Sequence, residues 1–156
     1  MIKIEIPGFK AIHAEHLVLD FNGTLAIDGH FIQDVVGKLV QLSAQLNVHI
    51  LTADTFGTVQ KEVGGLLINI KVLEAADQDR QKLDYVKNLG SEKVIAIGNG
   101  RNDILMLKES AISIGVIQAE GLFGQIVDCC QVICTSINDA LSLLINPNRL
   151  LATLRN

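Results

Sequence analysis

The sequence is poor in the residues on which several classes of protein depend. Of its 156 residues, 4% are aromatic and none is Trp, which argues against the stacking platforms that bind single-stranded nucleic acid. No cluster of Lys and Arg stands out and the formal net charge is −4, so a surface for DNA or RNA phosphates is not expected. The composition therefore predicts no nucleic-acid partner.

Long hydrophobic runs are also missing. No apolar segment reaches the roughly 18 residues that a membrane-spanning helix needs. The first six residues alternate apolar and charged side chains, which is a strand pattern and not that of a signal peptide. These two absences predict a cytoplasmic protein with no membrane partner.

Cysteine is scarce, and its three copies lie within six residues, at Cys129, Cys130 and Cys134. An odd, clustered set does not form a disulfide framework, and no His lies near enough to complete a metal site. We interpret the three as reduced thiols in or beside a strand. The four histidines are scattered and are interpreted as surface or satisfied side chains: His13, His16, His30 and His49.

Hydrophobic residues are plentiful, at 49% of the chain, which is enough for a single domain over residues 1–156 with a core of its own. Apolar runs alternate with segments of helical spacing, and this order is typical of a doubly wound, mostly parallel α/β sheet. The predicted strands are 16–21, 48–52, 66–73, 94–97, 112–116 and 132–134. The predicted helices are 32–46, one that begins after Asp54 or Thr55 and ends at Gly64 and Gly65, 77–89, 103–109 and 138–145.

Both ends of the chain fall outside this alternation. The segment 2–6 predicts an N-terminal edge strand that turns back at Pro7 and Gly8 and pairs with 11–13 or with the next strand. In the middle of the chain, Asp54 or Thr55 is predicted to cap the helix that follows. After the last helix the sequence predicts a short tail.

Polar residues stand where three predicted strands end, at Asp20, Thr52 and Asn99. In doubly wound sheets the carboxyl ends of the strands meet at one rim, so these side chains are expected to converge. Asp20 is the candidate nucleophile, because a carboxylate can attack phosphorus. Gly23 and Thr24, in the turn that follows it, are candidates to frame a phosphate.

The remaining candidates supply charge and metal ligands. The hydroxyl of Thr52 and the ammonium of Lys82 are candidates to bind the phosphoryl group. Oxygen atoms of four residues suit Mg²⁺: Asp20, Asn22, Asn99 and Asp103. Taken singly, each of these residues is as well explained as a turn former, a helix cap or a solvated charge. Their order and placement together favour the functional interpretation.

Four stretches resemble the motifs of the haloacid dehalogenase (HAD) superfamily of phosphotransferases. The segment from Asp20 to Thr24 resembles its first motif, Asp-x-Asp-Gly-Thr. An apolar strand ending at Thr52 resembles the second, and Lys82 on a helix resembles the third. The segment from Gly98 to Leu107 resembles the fourth, Gly-Asp-Gly-x-Asn-Asp followed by apolar residues. The nearest likeness is to the phosphorylation domain of P-type ATPases and its soluble, stand-alone relatives.

The resemblance implies a HAD-like Rossmannoid fold and a Mg²⁺-dependent active site. It implies Asp20 as the nucleophile, Thr52 and Lys82 as phosphoryl ligands, and Asp103 as a residue that helps to hold the metal. Two positions depart from the family pattern. Asn22 stands where many family phosphatases have their general acid and base, so we expect slow turnover. Asn99 stands where the family has Asp, so we expect weak Mg²⁺ binding.

The spacing of the motifs leaves no room for a cap domain between Thr24 and Thr52, or between Thr52 and Lys82. A capless site is open, and it suits a macromolecular phosphorylated substrate or a second copy of the chain acting as a lid. The leading prediction is thus a HAD-type phosphatase acting on a phosphomonoester through an aspartyl-phosphate.

Three alternatives compete with a phosphatase. A binding or regulatory module that has lost turnover fits Asn22 and Asn99. A receiver domain fits less well, because Phe21 and Asn22 offer no acidic pair after the first strand. Dinucleotide binding through Gly98 and Gly100 fits least, because the third glycine of that fingerprint is absent.

Overall fold

A six-stranded parallel sheet forms the centre of the computed structural model, which describes residues 1–53 and 57–156. In chain order the strands are β1 (Ile2–Glu5), β2 (Ala11–Ala14), β3 (His16–Asp20), β4 (Ala26–Ile27), β5 (His30–Phe31), β6 (Asn47–Thr52), β7 (Ile68–Val72), β8 (Val94–Gly98), β9 (Ile112–Val116) and β10 (Val132–Cys134). The central sheet has the order β10-β9-β8-β3-β6-β7. The predicted doubly wound α/β fold is confirmed.

Strand β3 lies at the point where the sheet changes direction. The chain passes from β3 to β6 and β7 on one side, then returns to β8 on the other side of β3. Leu17 pairs with Val48 on one neighbour and with Ile95 on the other. Such a switch point opens a crevice at the carboxyl ends of the strands, which is where ligands bind in folds of this type.

Helices cover both faces of the sheet. They are α1 (Val35–Ser43), α2 (Thr58–Val63), α3 (Gln78–Leu89), α4 (Ile104–Glu109), α5 (Ile137–Ile145) and α6 (Pro147–Leu154). Side chains alternate along the buried strands, so that Leu17 and Leu19 join the core beneath α1 and α5, while Val18 joins the core beneath α3 and α4. The continuous apolar run of β3 is thus used on both faces.

The N-terminal strand differs from the prediction in one respect. Strand β1 pairs with β2 in antiparallel fashion, as one of the two predicted pairings required, but the pair forms a sheet of its own and is not an edge of the central sheet. Its alternate isoleucines, Ile2 and Ile4, are buried in the larger core. The hairpin is therefore held to the domain by side-chain packing.

A second small hairpin, β4–β5, follows the first motif. It turns at Asp28 and Gly29, both with positive φ (52° and 78°), as a two-residue hairpin turn requires.

The C-terminal segment is a helix where a tail was predicted. Pro147 occupies the first turn of α6, where a missing amide hydrogen has no cost, and Leu150 is fully buried. The predicted caps Asp54 and Thr55 lie outside the described residues. Across the described ranges, no helix is both long enough and apolar enough to cross a membrane.

Candidate active site

The predicted site residues converge at the carboxyl ends of β3, β6 and β8. Asp20 is the last residue of β3, Thr52 is the last of β6, and Asn99 directly follows β8. Beside them lies a cleft of about 190 Å³. It is lined by Asp20, Asn22, Ala53, Gln78, Lys82, Asn99, Gly100, Asn102 and Glu120.

Lys82 joins two acids at the floor of this cleft. Its Nζ lies 2.6 Å from Oδ1 of Asp20 and 2.6 Å from Oδ1 of Asp103. The Lys82 side chain is 1% exposed, although it lies on a helix that also carries solvated charges. A buried ammonium ion is strongly disfavoured unless acids surround it, so this placement is specific.

The electrostatics of the three groups are coupled. Burial, followed by the charge of Asp103, raises the pKa of Asp20 to about 7 against the opposing effect of Lys82. Burial alone would lower the pKa of Lys82, but the charges of Asp103 and Asp20 outweigh it and raise that pKa. Lys82 is therefore a fixed positive charge shared by two acids. A phosphoryl group at Asp20 would meet this charge directly.

Asp103 is placed behind Lys82 by the turn that follows β8. Its Oδ2 accepts hydrogen bonds from the main-chain N of Asn99 (3.0 Å) and of Gly100 (2.8 Å), while Oδ1 faces Lys82. A Cβ atom on Gly98 would lie 2.6 Å from Cγ of Asp103, so glycine is needed there. Both carboxylate oxygens of Asp103 thus have partners within the protein.

Asn99 joins the first motif to the fourth. Its Oδ1 accepts a hydrogen bond from the hydroxyl of Thr24 (3.1 Å), and its Nδ2 donates to the carbonyl of Gly121 (3.0 Å). Gly23, with φ of 76°, packs so closely on Asn99 that an added Cβ would lie 2.4 Å from Nδ2. These contacts fix the two loops against each other.

Gly23 and Thr24 mainly form the contact between these two loops. Their main-chain N atoms donate to Ala26 and Phe21 respectively, and the Thr24 side chain is fully buried. In this structure the two residues shape the turn, so a direct phosphate contact by either one stays a prediction. Thr52 is also buried at the end of β6, next to Ala53, which lines the cleft.

The oxygen donors at the cleft match Mg²⁺ in kind but carry little charge. Asp20, Asn22 and Asn99 line the cleft and offer carboxylate, carbonyl and amide oxygens. Within the described part of the chain, no group of three His, Cys, Asp or Glu side chains is placed to hold a metal. The donor set therefore fits a hard cation bound by one carboxylate and neutral oxygens, and Asp103 fits a supporting role.

Sequence reasoning missed the loop after β9, which closes one side of the cleft. Gln118 donates from Nε2 to the carbonyls of Gly23 and Thr24, at 2.8 Å each, and Glu120 lines the cleft. No motif marks either residue. The single available signal was a polar, glycine-containing segment after a buried strand, which is the usual position of site residues in this fold class.

Comparison with known proteins identifies the family. Residues 78–140 match the model of the haloacid dehalogenase-like hydrolases. An uncharacterized protein of Methanocaldococcus jannaschii is 47% identical over 79 residues, which are 48% of this chain and 85% of that protein. The chain belongs to the haloacid dehalogenase-like (HAD) superfamily. The predictions of the superfamily and of a hydrolase belonging to it are confirmed, while the likeness to the P-type ATPase domain stays a prediction.

Solved structures show the same HAD fold. The 3-deoxy-D-manno-octulosonate 8-phosphate phosphatase of Moraxella catarrhalis, in complex with a magnesium ion, a phosphate ion and a KDO molecule, is 20% identical. The alignment covers 92% of this chain and 94% of that one, with a TM-score of 0.66. The cobalt-bound deoxy-D-mannose-octulosonate 8-phosphate phosphatase of Haemophilus influenzae is 13% identical, with coverages of 86% and 88% and a TM-score of 0.66. At these sequence identities, the comparison shows a shared fold.

Proposed function

We propose that this HAD-like protein is a phosphatase that hydrolyses a phosphomonoester through a covalent aspartyl-phosphate on Asp20. The observation that carries the proposal is the buried group of Asp20, Lys82 and Asp103 at the switch point of the sheet. A structural role alone would not require an ammonium ion and two acids at the open end of the strands, because buried ion pairs contribute little net stability. Phosphatases that share the fold support the same reaction class.

The proposed roles follow from the placement of each side chain. An oxygen of Asp20 attacks phosphorus and takes the phosphoryl group. Lys82 stabilises the negative charge that is spread over the phosphoryl oxygens in the transition state. Asp103 keeps Lys82 charged and in position through its contact at 2.6 Å. Thr52, at the end of β6, is proposed as a further ligand of the phosphoryl oxygens.

Mg²⁺ is the proposed cofactor, held by Asp20, the main-chain carbonyl of Asn22 and the amide oxygen of Asn99. When bound it would neutralise charge on the phosphoryl oxygens. Because Asn99 brings no charge and already accepts a hydrogen bond from Thr24, we propose that binding is weak. Phosphate and magnesium ions are both present in the Moraxella structure, which supports this choice of cation.

The substrate is proposed to be large or to be covered by another protein surface. In the described ranges the β4–β5 hairpin is the insertion nearest the first motif, and no further domain covers the cleft. An open site gives little enclosure to a small molecule. A macromolecular phosphomonoester, or a second copy of the chain as a lid, would supply that enclosure. A cytoplasmic location without nucleic-acid or membrane partners remains part of the proposal.

The reaction can be tested with p-nitrophenyl phosphate and Mg²⁺, comparing the native protein with Asp20→Asn. We expect hydrolysis by the native protein, reduced by chelation with EDTA, and a background rate in the variant. Acid-quenched native protein should carry a phosphoryl group that hydroxylamine removes, as is usual for an acyl phosphate. Equal rates in the two proteins would rule out the proposed reaction.

A second candidate function is a module that binds phosphate, or becomes phosphorylated, without efficient release. It is favoured by Asn22, which cannot exchange a proton, and by Asn99, whose side-chain atoms are both bonded within the protein. A protein of this type would bind inorganic phosphate by calorimetry and show no multiple turnover. Sustained hydrolysis beyond one equivalent would exclude it.

A further inference from the structure

The loop after β9 brings a carboxylate to the active-site cleft that no sequence motif marks. Glu120 lines this cleft together with Asp20 and Asn22. Its Oε1 accepts a hydrogen bond from the main-chain N of Asp28 (3.1 Å), at the tip of the β4–β5 hairpin. The carboxylate is thereby directed by one oxygen, while the structure records no protein partner for Oε2 among the described residues.

The loop is fastened on both sides of Glu120. On one side, Gln118 donates to two carbonyls of the first motif and accepts from the main-chain N of Ile137 (2.7 Å). On the other side, the carbonyl of Gly121 accepts from Asn99, and the N of Phe123 donates to the carbonyl of Asn99 (2.8 Å). Glu120 therefore sits in a short segment with fixed ends, directly beside the first and fourth motifs.

The cleft lacks a proton-exchanging group at the usual position. Asn22 replaces the acid of the resembled first motif, and an amide does not titrate. Asp20 is committed as the nucleophile, and Asp103 is fully buried with both oxygens bonded. Among the cleft-lining residues that the structure describes (within 1–53 and 57–156), Glu120 is the remaining carboxylate.

We propose that Glu120 is the general acid and base of this protein and replaces the carboxylate missing at Asn22; this inference rests on the proposed phosphatase function. In the first step the Asp20 oxygen bonds to phosphorus, the bond from phosphorus to the ester oxygen breaks, and Oε2 of Glu120 gives that oxygen its proton, releasing the alcohol. In the second step Glu120 takes a proton from water as the water oxygen bonds to phosphorus and the bond to Asp20 breaks. Inorganic phosphate leaves, and Glu120 is protonated again.

The alternative is a purely structural role, in which Glu120 holds the β4–β5 hairpin through its hydrogen bond with Asp28. Glu120→Gln separates the two roles, because the glutamine Oε1 still accepts the hydrogen bond from Asp28 while the side chain can no longer exchange a proton. If Glu120 instead helped to hold the metal, Glu120→Gln would bind Mg²⁺ more weakly, which isothermal titration calorimetry measures. A loss of rate in Glu120→Gln with an unchanged Kd for Mg²⁺ therefore reports proton transfer.

The experiment uses the full chain with two substrates and an acid-quench measurement of phosphoenzyme. With p-nitrophenyl phosphate, whose leaving group needs no proton, Glu120→Gln should release about one equivalent of nitrophenol quickly and then turn over ~10²–10⁴-fold more slowly than native protein. Phosphoenzyme should accumulate. With an alkyl phosphate, both the first turnover and the steady state should slow. Glu5→Gln, an exposed glutamate in β1, is the matched control and should keep native rates.

A second variant makes the result specific. Asn22→Asp restores a carboxylate in the same cleft, and Asn22→Asp combined with Glu120→Gln should recover at least tenfold of the lost rate. Native rates in Glu120→Gln with an inactive Asp20→Asn would overturn the role of Glu120 and leave the phosphatase function standing. Loss of phosphoenzyme formation from the aryl phosphate in Glu120→Gln would also overturn it. Native rates in Asp20→Asn would instead overturn the phosphatase function itself.

Discussion

Two polar clusters each connect strand β3 to helix α3, and they differ in the charge of their members. At the carboxyl end, Asp20 and Asp103 share the charge of Lys82. Toward the amino end, His49 lies 3.0 Å from His16 through Nε2 and 3.0 Å from the hydroxyl of Tyr85 through Nδ1. In the first cluster the two acids keep the ammonium of Lys82 charged, while the second cluster stays neutral.

The pKa values express this difference. Burial, and then the neighbouring His16, lowers the pKa of His49 to about 4, so this ring is neutral at pH 7. Burial alone would likewise lower the pKa of Lys82, but the two acids outweigh it and raise that pKa. Burial by itself thus selects neutral side chains, and a charge persists in the core when counter-charges are built around it. The charged cluster is the one that faces the cleft.

The largest expected effect comes from removing the shared charge. Lys82→Met leaves Asp20 and Asp103 buried without a cation, and we expect the free energy of unfolding at pH 7 to fall by about 3–5 kcal/mol. Urea denaturation measures it. Lys87→Met, an exposed lysine on the same helix, should change stability by less than about 0.5 kcal/mol. Similar losses in both variants would mean that Lys82 acts as an ordinary helix residue.

The next effect comes from crowding the charged cluster. In Gly98→Ala the new Cβ would lie 2.6 Å from Asp103, whose carboxylate is held by three hydrogen bonds, so we expect a loss of about 2–3 kcal/mol. Gly37→Ala is the matched change in α1, with nothing within 4 Å. It should raise the free energy of unfolding by about 0.5–1 kcal/mol, because alanine favours the helix. Equal effects at the two positions would contradict the tight fit at Gly98.

The neutral cluster of His16, His49 and Tyr85 is predicted to contribute less to stability on acidification. The unfolded chain protonates His49 near pH 6.5, whereas the folded chain does so near pH 4, so the stability that His49 contributes falls as the pH drops through this window. This loss reaches about 2 kcal/mol at pH 4.5, since solvent screens part of the full linkage value. The raised pKa of Asp20 acts in the opposite direction over the same window, so the loss is measured as the difference between the native protein and His49→Gln in urea denaturation at pH 7 and pH 4.5.

His49→Gln provides the comparison for that pH dependence. Glutamine keeps polar atoms in the ring's place but takes up no proton, so the variant should lose less stability than the native protein between pH 7 and pH 4.5. His13→Gln, an exposed histidine in β2, should follow the native curve. Parallel curves for all three proteins would show that His49 does not titrate differently in the folded state.

The smallest expected effect adds a charge to the charged cluster. Asn99→Asp replaces the amide that donates to Gly121, so the metal-free variant should lose about 1 kcal/mol of stability. It also adds a carboxylate to the cleft, and we expect its Kd for Mg²⁺ to fall about tenfold, or about 1.4 kcal/mol. Isothermal titration calorimetry measures the affinity. An unchanged Kd would remove residue 99 from the proposed metal ligands.

Much of the fold and of the candidate site could be predicted because both depend on local sequence patterns. The strands β9 and β10 match their predicted ranges, and α3 starts one residue later than predicted. Asp20, Lys82 and Asp103 meet as expected because the ends of parallel strands share one rim. The motifs did not predict that Asp103 would use both carboxylate oxygens within the protein, one for Lys82 and one for the turn after β8.

The remaining contacts could not be predicted because they join segments that are distant in the sequence. Gln118 contacts carbonyls more than ninety positions earlier, and no periodicity marks such a pair. His16, His49 and Tyr85 looked like unrelated residues until the register of β3 against β6 was known. The helix α6 was missed because Pro147 reads equally well as the first turn of a helix and as the end of one.

The position of the loop after β9 depends on the amide group of a single side chain, Gln118. Its two ends are not interchangeable, because Nε2 faces two carbonyls and Oε1 faces the amide of Ile137. A glutamate has the same shape, yet it would place an anionic oxygen against two carbonyl oxygens. The identity of one atom, nitrogen in place of oxygen, thus decides whether the loop that carries Glu120 can stay beside the first motif.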